Sequence, residues 1–372
     1  MKASRQSAKI SRRKLIETAS AGALAAGFPS IITSRALGQT RSGVTKLING
    51  DGPFISKAPV MIAYEKGYYK KLGIDLEYKW FTDGGLVIAP LISGEIDVAS
   101  PTPSAGLFNA IARGANIQMF LDSGTELSNK HSTLATVVSQ KLWDQGIRTP
   151  ADLAKIADLK AHMSVKGSIN EYILDRTYMK GGVDPTKVTY EYGLAQPAAM
   201  QLMLKDGIDV TNYAYQFAFV LQQQKKAQPI ATGYDVAPGA VISCYSYLKE
   251  KYNSIGREAY VRFAMASLEG IRQFNAALKV SPPPKDIVDI IMKHTFFKGD
   301  TGRQSLLDLH PRWSESAPDG KPNRQGISAM QDHWVDVRKY VEKKVDINEF
   351  ANQDIAHEAM ERLKKENPFK DL

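Results

Sequence analysis

One cysteine in 372 residues, Cys244, excludes an intramolecular disulfide and any metal cluster built on thiolates. It stands far from the N-terminus, so no cysteine is placed to carry a lipid at a leader-cleavage site. The six histidines, His131, His162, His294, His310, His333 and His357, show no metal-ligand spacing, and no His-Glu-x-x-His run occurs. No Gly-x-Gly-x-x-Gly and no phosphate-binding Gly-Lys-Ser/Thr sequence is present. In "TPSAG", Thr102 stands where a nucleophile elbow requires glycine, so Ser104 does not read as a hydrolase serine. Past the first forty residues no apolar run approaches the ~20 residues needed to span a membrane. A binding protein that uses no cofactor and no metal is the reading these absences favour over an enzyme.

What is present is ordinary globular material, 43% hydrophobic and 23% charged, in a length that suits two domains. The formal charge of +9 invites a nucleic-acid partner, but its distribution argues against one. Residues 1–38 hold seven basic side chains against Glu17, so +6 lies in this leader and only +3 downstream. The leader has a basic start, an Ala/Gly-rich apolar stretch from Thr18 to Ile32 broken by Pro29, and a small-residue exit at Ala36-Leu37-Gly38. That order predicts a cleaved export signal and a periplasmic protein; an uncleaved anchor is the alternative. Arg12-Arg13 after Ser11 resembles a twin-arginine signal, with the general secretory route as the other option.

From Ser56 the chain alternates helix-like and strand-like segments, predicting an α/β architecture with mostly parallel sheets and flanking helices. A strand over Ile74 to Phe81, a short strand over Ile96 to Ala99, and a helix capped by Ser104 and stopped by Gly114 set the first pattern. It returns with Met163-Ser164-Val165, the loop Lys166 to Asn170, a helix to Lys180, and a short strand Ile208 to Val210 leading into a loop from Thr211. "PLISGEIDVASPTPS" is echoed by "LMLKDGIDVTNYAYQ", which implies two lobes on one plan. After Tyr247 long helices follow, including Gly256 to Leu278 and Gly326 to Lys344; the latter carries the apolar stripe Ile327, Met330, Trp334, Val337 and Val341.

The phrases "APVMIAYEKGYYKKLGIDLEY", "LISGEIDVASPTPSAGLFNAIARG", "SVKGSINEYILDRTYMKGGVDPTKVTYEYG" and "LKDGIDV", in that order, resemble the periplasmic binding proteins of nitrate, sulfonate and taurine-type importers, a superfamily that includes thiamine-pyrimidine binders. The resemblance implies a two-lobed periplasmic-binding-protein fold of type II with the ligand in a cleft between lobes. Carried onto this chain, residues 45–139 and 241–372 form lobe one, and residues 140–240 form lobe two, with hinges near Gln140 and Ala240. It further implies a monomer that hands a small-molecule ligand to an ABC permease and its ATPase. Two other readings share the fold: a pyrimidine-precursor synthase, whose cysteine-rich segment this chain lacks, and a ligand-sensing partner of a membrane receptor.

In open parallel sheets ligands sit beyond the carboxyl ends of strands, where loops feed helix N-termini. Four loops fit: Gly52 to Ser56, Ser100 to Ser104, Lys166 to Asn170, and Thr211 to Gln216. Ser100, Thr102, Asn170, Thr211 and Asn212 supply hydroxyl and amide groups. Ser104 and Ser168 serve either as ligand contacts or as helix caps, and Lys166 is either a ligand cation or solvated surface. Phe54, Tyr213 and Tyr215, with Trp80 if it is not core, offer an aromatic wall for a small organic anion or a flat heterocycle.

Overall fold

The computed structural model describes residues 43–156 and 160–370; the expected export leader lies outside them. Ten strands form two five-stranded sheets. They are β1 (Thr45–Asp51), β2 (Ile74–Trp80), β3 (Val98–Ala99), β4 (Ile117–Asp122), β5 (Leu134–Ser139), β6 (Ala161–Met163), β7 (Tyr190–Tyr192), β8 (Val210–Ala214), β9 (Ala227–Thr232) and β10 (Cys244–Leu248). The first sheet runs β2-β1-β3-β10-β4 and the second β7-β6-β8-β5-β9. In both, the fourth strand is antiparallel to its neighbours and the rest run one way. The shared order is the structural counterpart of the echo between the two sequence halves. The architecture is therefore the α/β, two-lobed arrangement expected, with mixed sheets that are mostly parallel.

The reversed strands explain where the lobes join. β5 lies at the heart of the second sheet, between β8 and β9, although residues up to 139 were assigned to lobe one. Its six residues are all buried. An apolar run of that kind states that a strand is interior but not which sheet it enters. The first crossing consequently lies between Asp122 and Leu134, ahead of the expected Gln140. The return crossing lies between Thr232 and Cys244 and contains the expected Ala240. The two crossings pair with each other, Thr125 opposite Val241, and exchange backbone hydrogen bonds at Ser123–Ser243, Glu126–Ala240 and Ile242–Gly124.

Helices cover the sheets. Arg257–Ala277 packs on Ala58–Glu65 so closely that a Cβ on Gly270 would lie 2.0 Å from the Pro59 carbonyl oxygen. The expected helix over Gly326 to Lys344 is shorter. It spans Arg324–Asp332, widens into a π-helical turn at His333–Val337, and breaks at Lys339, where φ is +57°. The cause is lobe two: His333 and Arg338 both reach Asp175 on the helix Ile169–Lys180, at 2.7 Å from Nε2 and Nε. Ile327, Met330, Trp334 and Val341 still face the core as the stripe demanded, while Val337 is only half-buried. The segment Lys285–Trp313 packs on the helices beside β8 as well as on Arg257–Ala277, so apolar cores flank the cleft on both sides.

Candidate functional site

The strand ends of both sheets open on one cleft of about 810 Å³, counting the space open to solvent. Its floor is charged and closed on itself. β1 ends at Asp51, whose carboxylate accepts hydrogen bonds from the Gly52 N–H (2.9 Å), Ser100 Oγ (2.7 Å) and the Tyr245 hydroxyl (2.6 Å). Lys57 follows on a short 3₁₀ turn, with Nζ 3.7 Å from Asp51. The same ammonium donates to Ser123 Oγ at 2.6 Å and to Ser243 Oγ, one residue from each crossing. Burial lowers the Lys57 pKa, and Asp51 and Asp122 pull against that shift. Lys57 thus pins both crossings to the floor.

The crossings hold two further buried acids. Glu126 accepts from the Thr133 and Leu134 N–H groups at 3.1 and 3.0 Å and from the Ser132 hydroxyl, yet burial raises its pKa to about 8. Asp122 is raised to about 6 for the same reason, opposed by bonds from Thr125 and Gly124.

Five of the residues expected at a ligand site line this cleft: Phe54, Ser100, Thr102, Asn170 and Tyr215. The others are placed elsewhere. Ser104 Oγ accepts from the Leu107 N–H at 3.2 Å and Ser168 Oγ from the Glu171 N–H at 3.4 Å; both cap their helices. Lys166 is exposed, its ammonium 4.4 Å above the Tyr340 ring. Trp80 lies outside the cleft, stacked on Tyr78 at 5.0 Å and 43% exposed.

Thr211, Asn212 and Tyr213 correct the reading of that loop, because they are β8 itself. Ladder pairing with β5 carries the strand through Ala214, where the sequence pattern ended it at Val210. Thr211 Oγ1 donates to the His162 carbonyl at 2.7 Å, and Tyr213 sits in the core. Asn212 supports the cleft from beneath: its Oδ1 accepts from Asn170 Nδ2 at 2.9 Å.

Several lining residues escaped the sequence reading. Gln216, the last residue of the expected loop Thr211 to Gln216 but not singled out within it, is the second residue of the helix Tyr215–Gln223 and lines the cleft. Thr133, Arg312 and Trp313 had none: Thr133 sits on a crossing, and the other two come from the C-terminal helices. Besides the bonds of His333 and Arg338 to Asp175, hydrogen bonds from the Ile55 N–H to Gln216 Oε1, from Ser164 Oγ to Asp83, and from the Ala105 N–H to the Gly167 carbonyl, each at 3.0 Å, join the lobes at the cleft. A Cβ on Gly167 would lie 2.6 Å from the Ala105 Cβ, so glycine is what lets the lobes meet there.

Residues 42–223 match the model of the NMT1-like family. No curated protein matches the chain by sequence. Among solved structures, the periplasmic nitrate-binding protein NrtA from Synechocystis PCC 6803 is similar at 14% identity, with a TM-score of 0.70 over 86% of this chain and 89% of that one. The periplasmic aliphatic sulphonate binding protein SsuA from Escherichia coli gives 18% identity and a TM-score of 0.61 over 83% and 92% of the two chains. The alkanesulfonate-binding protein SsuA from Xanthomonas axonopodis pv. citri, bound to MOPS, gives 16% and 0.62 over 82% and 96%. The fold expected from the sequence resemblance is the fold found.

Proposed function

We propose that this chain is the extracytoplasmic solute-binding component of an ABC-type importer. It takes a small organic anion or heterocycle into the interlobe cleft and presents it to a membrane permease and its ATPase. The observation that carries this reading is the cleft itself, one composite site at the facing strand ends of two like-ordered sheets joined by two mutually paired crossings. Ligand held between such lobes closes them, and closure is the signal a transporter partner reads. The periplasmic nitrate- and sulphonate-binding proteins of the same fold support the assignment. The leader, with Arg12-Arg13 ahead of its apolar stretch, supports periplasmic export with cleavage near Gly38-Gln39. The mature protein acts as a monomer and performs no catalysis.

The test is a thermal-shift screen of the mature chain against small anions and heterocycles, followed by small-angle scattering. A ligand at 100 times its dissociation constant stabilises by about 2.7 kcal/mol. The radius of gyration is expected to fall on binding as the lobes close on the ligand. A screen in which no small molecule shifts the midpoint, or a hit that leaves the radius unchanged, counts against this function.

A further inference from the structure

Two polar groups in the cleft wall have no partner among the described residues, and both are deeply buried. Thr133 Oγ1 and Gln216 Nε2 make no hydrogen bond, in residues only 8% and 4% exposed. The orientation of the Gln216 amide is fixed, because its Oε1 accepts the Ile55 N–H; the nitrogen is therefore the free end, a pure donor. The Tyr215 N–H donates to the Thr133 carbonyl at 2.8 Å, so the two groups rise from neighbouring backbone. Arg312, which is exposed, also lines the cleft, its guanidinium 5.7 Å from the centre of the Tyr215 ring. Of the cleft's two cations, Lys57 is paired with Asp51, whereas Arg312 has no ion pair among the described residues. A buried donor without an acceptor costs the protein free energy unless a ligand supplies one.

Resting on the solute-binding reading, we propose that Thr133, Gln216 and Arg312 form the anion-recognising pole of the cleft and that its ligand is an apolar-bodied organic monocarboxylate. One uncompensated cation suits one negative charge. The planar fork of arginine with a flanking amide and hydroxyl matches two coplanar oxygens. The neighbouring wall is Phe54, Ile169 and Trp313. Against it an apolar body is stabilised.

The experiment titrates the mature protein calorimetrically with phenylacetate and 4-methylpentanoate, each beside its amide and its sulfonate analogue. Carboxylates are expected to bind at least 10-fold more tightly than either analogue. Thr133→Val, which removes only the unpartnered hydroxyl, should weaken carboxylate binding about 10- to 150-fold and leave the ligand-free melting temperature unchanged or higher. Gln216→Glu keeps the acceptor for Ile55 and abolishes carboxylate binding. Amides or sulfonates binding as tightly as the acids, or Thr133→Val binding phenylacetate like the parent, overturns the pole and leaves the cleft reading standing. Binding by none of the six compounds overturns the pole, and the wider thermal-shift screen then decides separately whether the cleft takes any ligand.

Discussion

The strand ends of the two sheets face each other across one cleft, yet they bring opposite chemistry to it. The first sheet ends in a charged cluster whose every member is bonded: Asp51 to Gly52, Ser100 and Tyr245, and Lys57 to Ser123 and Ser243. The second ends in neutral amides and hydroxyls, two of them at the cleft without partners. Satisfied buried charges are expensive to disturb and hold a geometry; unsatisfied buried donors carry a desolvation cost that an acceptor on a ligand relieves. The comparison assigns scaffolding to the first side and ligand reading to the second.

The largest effect expected is at Lys57. Lys57→Met leaves Asp51 buried without its cation and unpins both crossings, which should cost about 3–5 kcal/mol. Chemical denaturation measures it, and a loss under 1 kcal/mol would remove Lys57 from the scaffold.

Next comes Glu126, at the crossing between the two sides. Its folded pKa, about 8, is raised above the usual 4.5, so the folded protein holds a proton there that the unfolded chain has already released. Stability therefore falls as pH rises from about 5 to 8, by at most about 1.4 kcal/mol per unit for one proton. Glu126→Gln should flatten that decline, and matching pH profiles for variant and parent would contradict it.

Thr102 tests whether the first side also reads ligand. Thr102→Ala should weaken binding by a lost hydrogen bond, about 1.5–3 kcal/mol or 10- to 150-fold, with little change in ligand-free stability. An unchanged affinity would sharpen the division by leaving recognition to Thr133, Gln216 and Arg312. Ser104 has the smallest effect: Ser104→Ala should lose about 1 kcal/mol of stability as a cap and leave affinity unchanged.

Much of this arrangement was legible beforehand. The caps at Ser104 and Ser168, the stops at Gly114 and Gly181, and the echo of "GEIDV" in "DGIDV" are local signals, and the structure places helices and strands accordingly. Phe54, Ser100, Thr102, Asn170 and Tyr215 were within reach because the position of a loop after a strand is itself local information. Trp80 and Lys166 were not, because an aromatic or basic residue near a strand end faces the cleft or faces away with equal chemical sense. The end of β8 at Ala214 was not legible because Thr211 to Ala214 follow an already complete short apolar strand and are fixed as strand by pairing with β5.

The sequence by itself determined the α/β alternation and the duplication of one plan, since each is written in periodicity along the chain. Only the tertiary structure decided that β5 enters the second sheet, that Lys57 ties two distant crossings together, and that Thr133, Gln216 and Arg312 line one cleft. Those are pairings between segments as many as 186 residues apart, and no local propensity specifies which buried partner a strand or a charge will find.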